Sequence, residues 1–232
     1  MNRRQFTFGA IAAGVGLPLA AIELTNAADA PARLPKRPLR VPPDGAIRTA
    51  VAIGPGVNVI DMSGPWEVFQ DAAVNRSATF ELYTVAADSA LVTASGGFEI
   101  KPSYTYDTAP QPHVVVIPAH SSTDETAQWL RRVGANADLL MSVCTGAFVL
   151  AESGLLDGKT ATTHHDFYDQ FASTFPKVRL VRGLRFVEHD RIASAGGLTS
   201  GIDLALRVVE RYLGRKAADT TAHYMEYGRQ TA

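Results

Sequence analysis

The stretch Leu139-Leu140-Met141-Ser142-Val143-Cys144-Thr145-Gly146-Ala147-Phe148 constrains the fold more than any other part of the chain. A short apolar strand, 139–143, runs without a gap into a helical pattern over 145–153, and Cys144 sits at the corner. A turn this tight needs small residues two positions to either side, and Ser142 and Gly146 supply them. The arrangement is that of a nucleophile elbow, with Cys for Ser at the corner and Ser for the first Gly. An elbow lifts its corner residue above the carboxyl edge of a sheet. The position predicts a thiol pKa below the ordinary value of about 8.5, because a helix N-terminus favours the thiolate. N–H groups at the helix start are placed to hold charge that develops on a substrate. The competing reading is a buried, inert cysteine packed as a small hydrophobe.

The pattern around the elbow alternates between apolar strands and helices. Strands are expected at 47–53, 80–86, 113–117 and 160–163, with hairpins over 91–101 and 185–195. A helix is expected to open at Ser63-Gly64-Pro65, since proline suits a first turn. Another is expected from a Ser122-x-x-Glu125 capping box to about Val133, and further helices over 166–174, 201–213 and 217–227. Strands in alternation with helices imply an α/β fold with a mostly parallel sheet and helices on both faces. The domain is expected to span 46–232.

Residues 1–30 read as an address. Arg3-Arg4-Gln5-Phe6 precedes a nearly uncharged apolar run, Ala10–Ala21, and Ala28-Asp29-Ala30 ends it with small residues. Those are the parts of an export signal, and the paired arginines indicate the twin-arginine route. The run is too short to span a bilayer comfortably. The expectation is a periplasmic protein that begins near Pro31 and keeps no membrane segment once the signal is removed. Five prolines between 31 and 43 make 31–45 an extended linker.

Charge and motifs narrow the function. With 22 basic and 23 acidic residues the net charge is -1, which offers no general attraction to nucleic acid. A lone cysteine excludes internal disulfides and cysteine-rich zinc sites. There is no His-Glu-x-x-His, no P-loop and no complete Gly-x-Gly-x-x-Gly, so neither metal nor nucleotide cofactor is expected. His189-Asp190 falls in a hairpin turn.

Three separated motifs carry a resemblance. Ile-Asp-Met-Ser-Gly-Pro-Trp-Glu-Val-Phe at 60–69, the elbow with Gly-Leu-Leu-Asp-Gly-Lys-Thr-Ala-Thr-Thr-His at 154–164, and Ser-Ala-Gly-Gly-Leu-Thr-Ser-Gly-Ile-Asp-Leu-Ala-Leu at 194–206 resemble the DJ-1/PfpI superfamily over about 46–226. The most similar branches are the isonitrile hydratases and the sensor half of AraC-type regulators. The resemblance implies a flavodoxin-like sandwich, a homodimer and a small-molecule substrate. It makes Cys144 the nucleophile, with Asp61 and Thr145 as its hydratase-type companions. A carboxyl beside a thiol is a workable acid–base pair, although Asp61 in its Gly-Pro context equally suits a cap ahead of a helix.

Two departures stand out. Pro118-Ala119-His120 replaces the family's Pro-Gly-Gly, so Ala119 and His120 are the candidates for the oxyanion donor, and His120 also brings an imidazole. Thr145 stands where the peptidases of the superfamily have His, which argues against a peptidase. His164 and His165 follow a strand on the active-site side, where they orient a substrate or start a helix. The expected activity is hydration of an isocyanide to an N-substituted formamide. A binding or sensing module without turnover, and a glyoxalase- or deglycase-like carbonyl enzyme, are the alternatives.

Overall fold

The computed structural model describes residues 38–72 and 78–228, which lie in one compact unit. The export signal and most of the proline-rich linker fall outside the described residues. Of the linker, Leu39 and Val41 pack against the core, and the Leu39 N–H donates to the Arg211 carbonyl at 2.8 Å.

The strands are β1 (Ala46–Ala52), β2 (Thr79–Ala86), β3 (Val92–Thr93), β4 (Glu99–Ile100), β5 (Tyr104–Thr105), β6 (Val114–Ile117), β7 (Leu139–Val143), β8 (Thr160–Ala161), β9 (Arg179–Leu180), β10 (Phe186–His189) and β11 (Ile192–Ala195). The helices are α1 (Val59–Asp71), α2 (Asp124–Gly134), α3 (Gly146–Glu152), α4 (Tyr168–Thr174), α5 (Ser200–Leu213) and α6 (Arg215–Tyr224). Seven strands form the main sheet in the order β10-β11-β7-β6-β1-β2-β5. Every pairing in it is parallel except β10 with β11, which is a hairpin. The expected α/β architecture is therefore present. From β1 the chain steps to β2 and β5 on one side, then returns to β6, β7 and β11 on the other. In such sheets the crevice at the carboxyl ends of the two strands at that switch, β1 and β6, is where ligands bind.

Alternation along β1 explains the two-sided core. Ile47 and Val51 point to one face and join Phe69, Leu204 and Val208 from α1 and α5. Ala50 and Ala52 point to the other and join Val115, Trp129, Leu150 and Phe171 from β6, α2, α3 and α4. Side chains on both faces of a parallel strand must be apolar, and β6 and β7 are buried at every position. The antiparallel edge is tied down by charge. Glu188 on β10 is buried and takes 2.9 Å bonds from both Arg207 and Arg211 of α5.

Two helix starts differ from expectation. The α1 helix begins four residues earlier than Ser63, because Asn58 caps it: its Oδ1 accepts from the Ile60 and Asp61 N–H groups at 3.2 and 3.4 Å. Pro65 is thus inside the helix, where it packs toward Gly201 of α5. The α2 helix is capped by Thr123 with Thr126 in reciprocal bonds, rather than by Ser122 with Glu125. Among the described residues no helix is long and apolar enough to cross a membrane.

Candidate active site

The elbow is built from backbone. Cys144 has φ +58°, in the left-handed region that a non-glycine residue occupies at a cost of about 1–3 kcal/mol. It is held there at both ends. Its N–H donates to the Gly196 carbonyl at 2.8 Å, and its carbonyl accepts from Thr163 Oγ1 at 2.9 Å. Two residues on, α3 passes against the end of β6. A Cβ on Gly146 would lie 2.0 Å from the Ile117 carbonyl oxygen and 2.8 Å from the Pro118 carbonyl, so only glycine fits. The small residue that the elbow requires at this position has a direct steric cause.

Asp61 reaches the same spot from α1. The early helix start places it in the first turn rather than on a loop, fully buried. Its Oδ2 accepts from the Ala119 N–H at 3.2 Å, and Oδ1 is buried with no hydrogen bond of good geometry. Burial raises this carboxyl to a pKa of about 6, against the opposing pull of the Ala119 N–H and the Cys144 side chain that faces it.

The thiol departs from the sequence expectation. Burial, and then the Asp61 charge, push Cys144 up to about 11 rather than down. The Thr145 N–H, the Leu198 N–H and the Thr145 hydroxyl oppose this by facing the sulfur, but they are outweighed. The helix-start argument failed because it counted donors and omitted desolvation and the buried acid. At neutral pH the pair is a thiol beside a carboxylate, and a proton transfer to Asp61 makes the nucleophile. Iodoacetamide should therefore alkylate native Cys144 more slowly at pH 7 than it does a cysteine peptide. The rate should keep rising above pH 9. A midpoint below 8.5 would restore the activated-thiol reading.

The remaining candidates divide. Thr145 adjoins the sulfur through both its N–H and its hydroxyl. The Ala119 N–H is committed to Asp61, so it positions the acid instead of serving as an oxyanion donor. His120 is folded away. Its Nδ1 bonds the Pro118 carbonyl at 2.9 Å, its ring lies on Gly54, and its Nε2 is buried without a partner. Burial lowers its pKa to about 4, which keeps the imidazole neutral. His164 accepts from the Asp166 N–H at 3.2 Å through Nδ1, and its ring packs on Gly197. It starts a short helical turn and lines a hollow of about 420 Å³ with Thr163, Gly196, Gly197 and Leu198.

Sequence reasoning missed Leu198 and Thr163. Leu198 has φ +50°, and its N–H faces the sulfur, so the loop after β11 completes the donor set. The Gly196-Gly197 pair was the available signal, since a Cβ on Gly197 would overlap His164 at 2.3 Å.

The profile of the DJ-1/PfpI family matches residues 47–211. Isonitrile hydratase of Pseudomonas putida is 30% identical over 78% of this chain and 79% of its own length. The HTH-type transcriptional regulator CdhR of Pseudomonas aeruginosa is 29% identical over 75% of this chain, which spans 53% of that regulator. Among solved structures, a THiJ/PfpI family protein from Pseudomonas syringae superposes with a TM-score of 0.72 at 28% identity, covering 82% of this chain and 79% of the other. Drosophila melanogaster DJ-1beta, at 17% identity over 79% of this chain and 99% of its own, shares the fold with a TM-score of 0.69.

Proposed function

The chain belongs to the DJ-1/PfpI family, and from that premise we propose that it is an exported, cysteine-dependent hydratase of small molecules that acts on isocyanides. The observation that carries this reading is the buried Asp61 carboxyl facing the Cys144 thiol. A carboxyl with a pKa near 6 is matched to moving protons at neutral pH. The similarity to isonitrile hydratase supports the choice of substrate class.

The proposed reaction uses no group beyond the chain and water. Asp61 takes the thiol proton as sulfur attacks the terminal carbon of R–N≡C. The Thr145 and Leu198 N–H groups hold the charge on sulfur during transfer. Asp61 then delivers that proton to the same carbon, which leaves a thioimidate, R–N=CH–S–Cys144. Water adds to the carbon with Asp61 as base, and the resulting acid protonates nitrogen. The C–S bond breaks with return of a proton to sulfur, and R–NH–CHO leaves. Bonds and protons balance at each step, and the thiol is regenerated.

The test is conversion of an isocyanide to its formamide by the purified protein, followed by infrared loss of the N≡C stretch, beside a Cys144→Ser control. Turnover by the wild type and its near-complete loss in the control is the expected result. A second reading has one observation in its favour: a thiol held near 11 suits a site that binds without reacting. Tight small-molecule binding with no isocyanide turnover would establish that reading instead.

Export is part of the same proposal and rests on Arg3-Arg4 and the apolar run behind them. Lys at both Arg3 and Arg4 should trap the protein in the cytoplasm. Normal amounts outside the cytoplasm from that double variant would remove the twin-arginine route.

A further inference from the structure

The turn after β8 gathers three ligand-type side chains in consecutive positions, His164, His165 and Asp166. One ligand atom from each lies within 4.8 Å of the others. His165 Nε2 is 3.2 Å from Asp166 Oδ1, and His164 Nδ1 is 3.8 Å from Asp166 Oδ2. Ligands bound at about 2.0–2.1 Å in a tetrahedron stand roughly 3.3–3.4 Å apart. The two observed separations, which run to the two oxygens of one carboxylate, lie to either side of that edge.

One of the three, His164, is held in place before any ion arrives. His164 is mostly buried, with its ring against Gly197 and edge-on to Phe167 at 5.8 Å. The exposed His165 ring stacks on it at 4.4 Å between centroids and 23° between planes, and it turns off that face to bring its nitrogen into line with an ion. The basic side chains nearby have acidic partners of their own: Arg182 pairs with Asp169 at 2.6 Å, and Arg185 with Asp203. His165 and Asp166 are exposed, so an ion can enter, and the cluster sits at the rim of the 420 Å³ hollow.

We propose that His164, His165 and Asp166 form an open three-ligand site for a divalent transition-metal ion of the zinc or copper type. Two imidazoles and one carboxylate select such ions over calcium or magnesium, which take oxygen ligands. The ion replaces the long Asp166 N–H bond on His164 Nδ1, and the fourth position faces the hollow. Three adjacent residues match no usual ligand spacing, so the site is not legible from the chain alone. A short helical turn (His165–Phe167) brings them round one point. The site stands apart from the hydratase reading and does not depend on it.

The experiment is calorimetric titration of the untagged full chain with Zn²⁺, with Cu²⁺ loading read by electron paramagnetic resonance. One equivalent should bind, with nitrogen hyperfine structure on the copper signal. His165→Ala and Asp166→Asn should each weaken binding tenfold or more, with unchanged circular dichroism. The proposal is overturned by no binding to the wild type, by equal binding to the variants, or by a thiolate-to-copper charge-transfer band that places the ion at Cys144.

Discussion

Asp61→Asn is expected to lower isocyanide turnover by about 10²–10⁴, the usual worth of a general acid–base group, and at the same time to stabilise the protein at pH 7. The two effects have one cause. Asp61 is fully buried, with its pKa raised from 3.8 to about 6. The folded state therefore holds this proton across a window where the unfolded chain has released it. Stability falls as pH rises from near 4 to near 6, and above that the ionised, desolvated carboxylate costs about 3 kcal/mol. Asparagine keeps an oxygen for the Ala119 N–H and carries no charge, so that cost disappears while the proton carrier is lost. The wild-type kcat/KM should rise with pH through about 6, as Asp61 ionises to become the base. The variant should lack that limb. A purely capping Asp61 would give the opposite result, with lower stability and intact turnover. Chemical denaturation at pH 5 and pH 7, run beside the pH–rate profile, separates the two.

Gly146→Ala should damage the site through packing alone. The added methyl would meet carbonyl groups of Ile117 and Pro118, and these belong to backbone at the end of a buried strand that cannot rotate away. Overpacking of this kind costs about 1–3 kcal/mol and can exceed that. In a domain of this size the melting temperature should fall by roughly 2–12 °C. Because α3 must move off β6, Cys144 and Asp61 should separate as well, so turnover should fall even at temperatures where the variant is folded. An unchanged melting temperature would mean that the strand and helix are farther apart than they stand here. Gly154→Ala is the control. That glycine has open space around it but φ +77°, so it tests backbone strain without a clash and should leave turnover intact.

The elbow and the layered fold were legible in the sequence because each rests on local patterns. Buried parallel strands have to be apolar on both faces, and 113–117 and 139–143 show this without reference to anything distant. The corner at Cys144 needs small neighbours for steric reasons that operate within a few residues, and Gly146 is where such a residue was expected. Local signals failed where two of them competed. Gly64-Pro65 outweighed Asn58 as a helix start, although Asn58 was the cap with donors to satisfy. The titration of the site was not legible at all. Whether Cys144 is acidic or basic depends on how much water the fold excludes and on which charge lies beside the sulfur. Asp61 is 83 positions earlier in the chain, and Leu198 is 54 later. Only the packing of α1 and the loop after β11 around the end of β7 brings them to one atom. Desolvation and charge proximity are properties of that enclosure, so the tertiary structure alone decided that a thiol expected to be activated is held protonated beside a carboxylate that can take its proton.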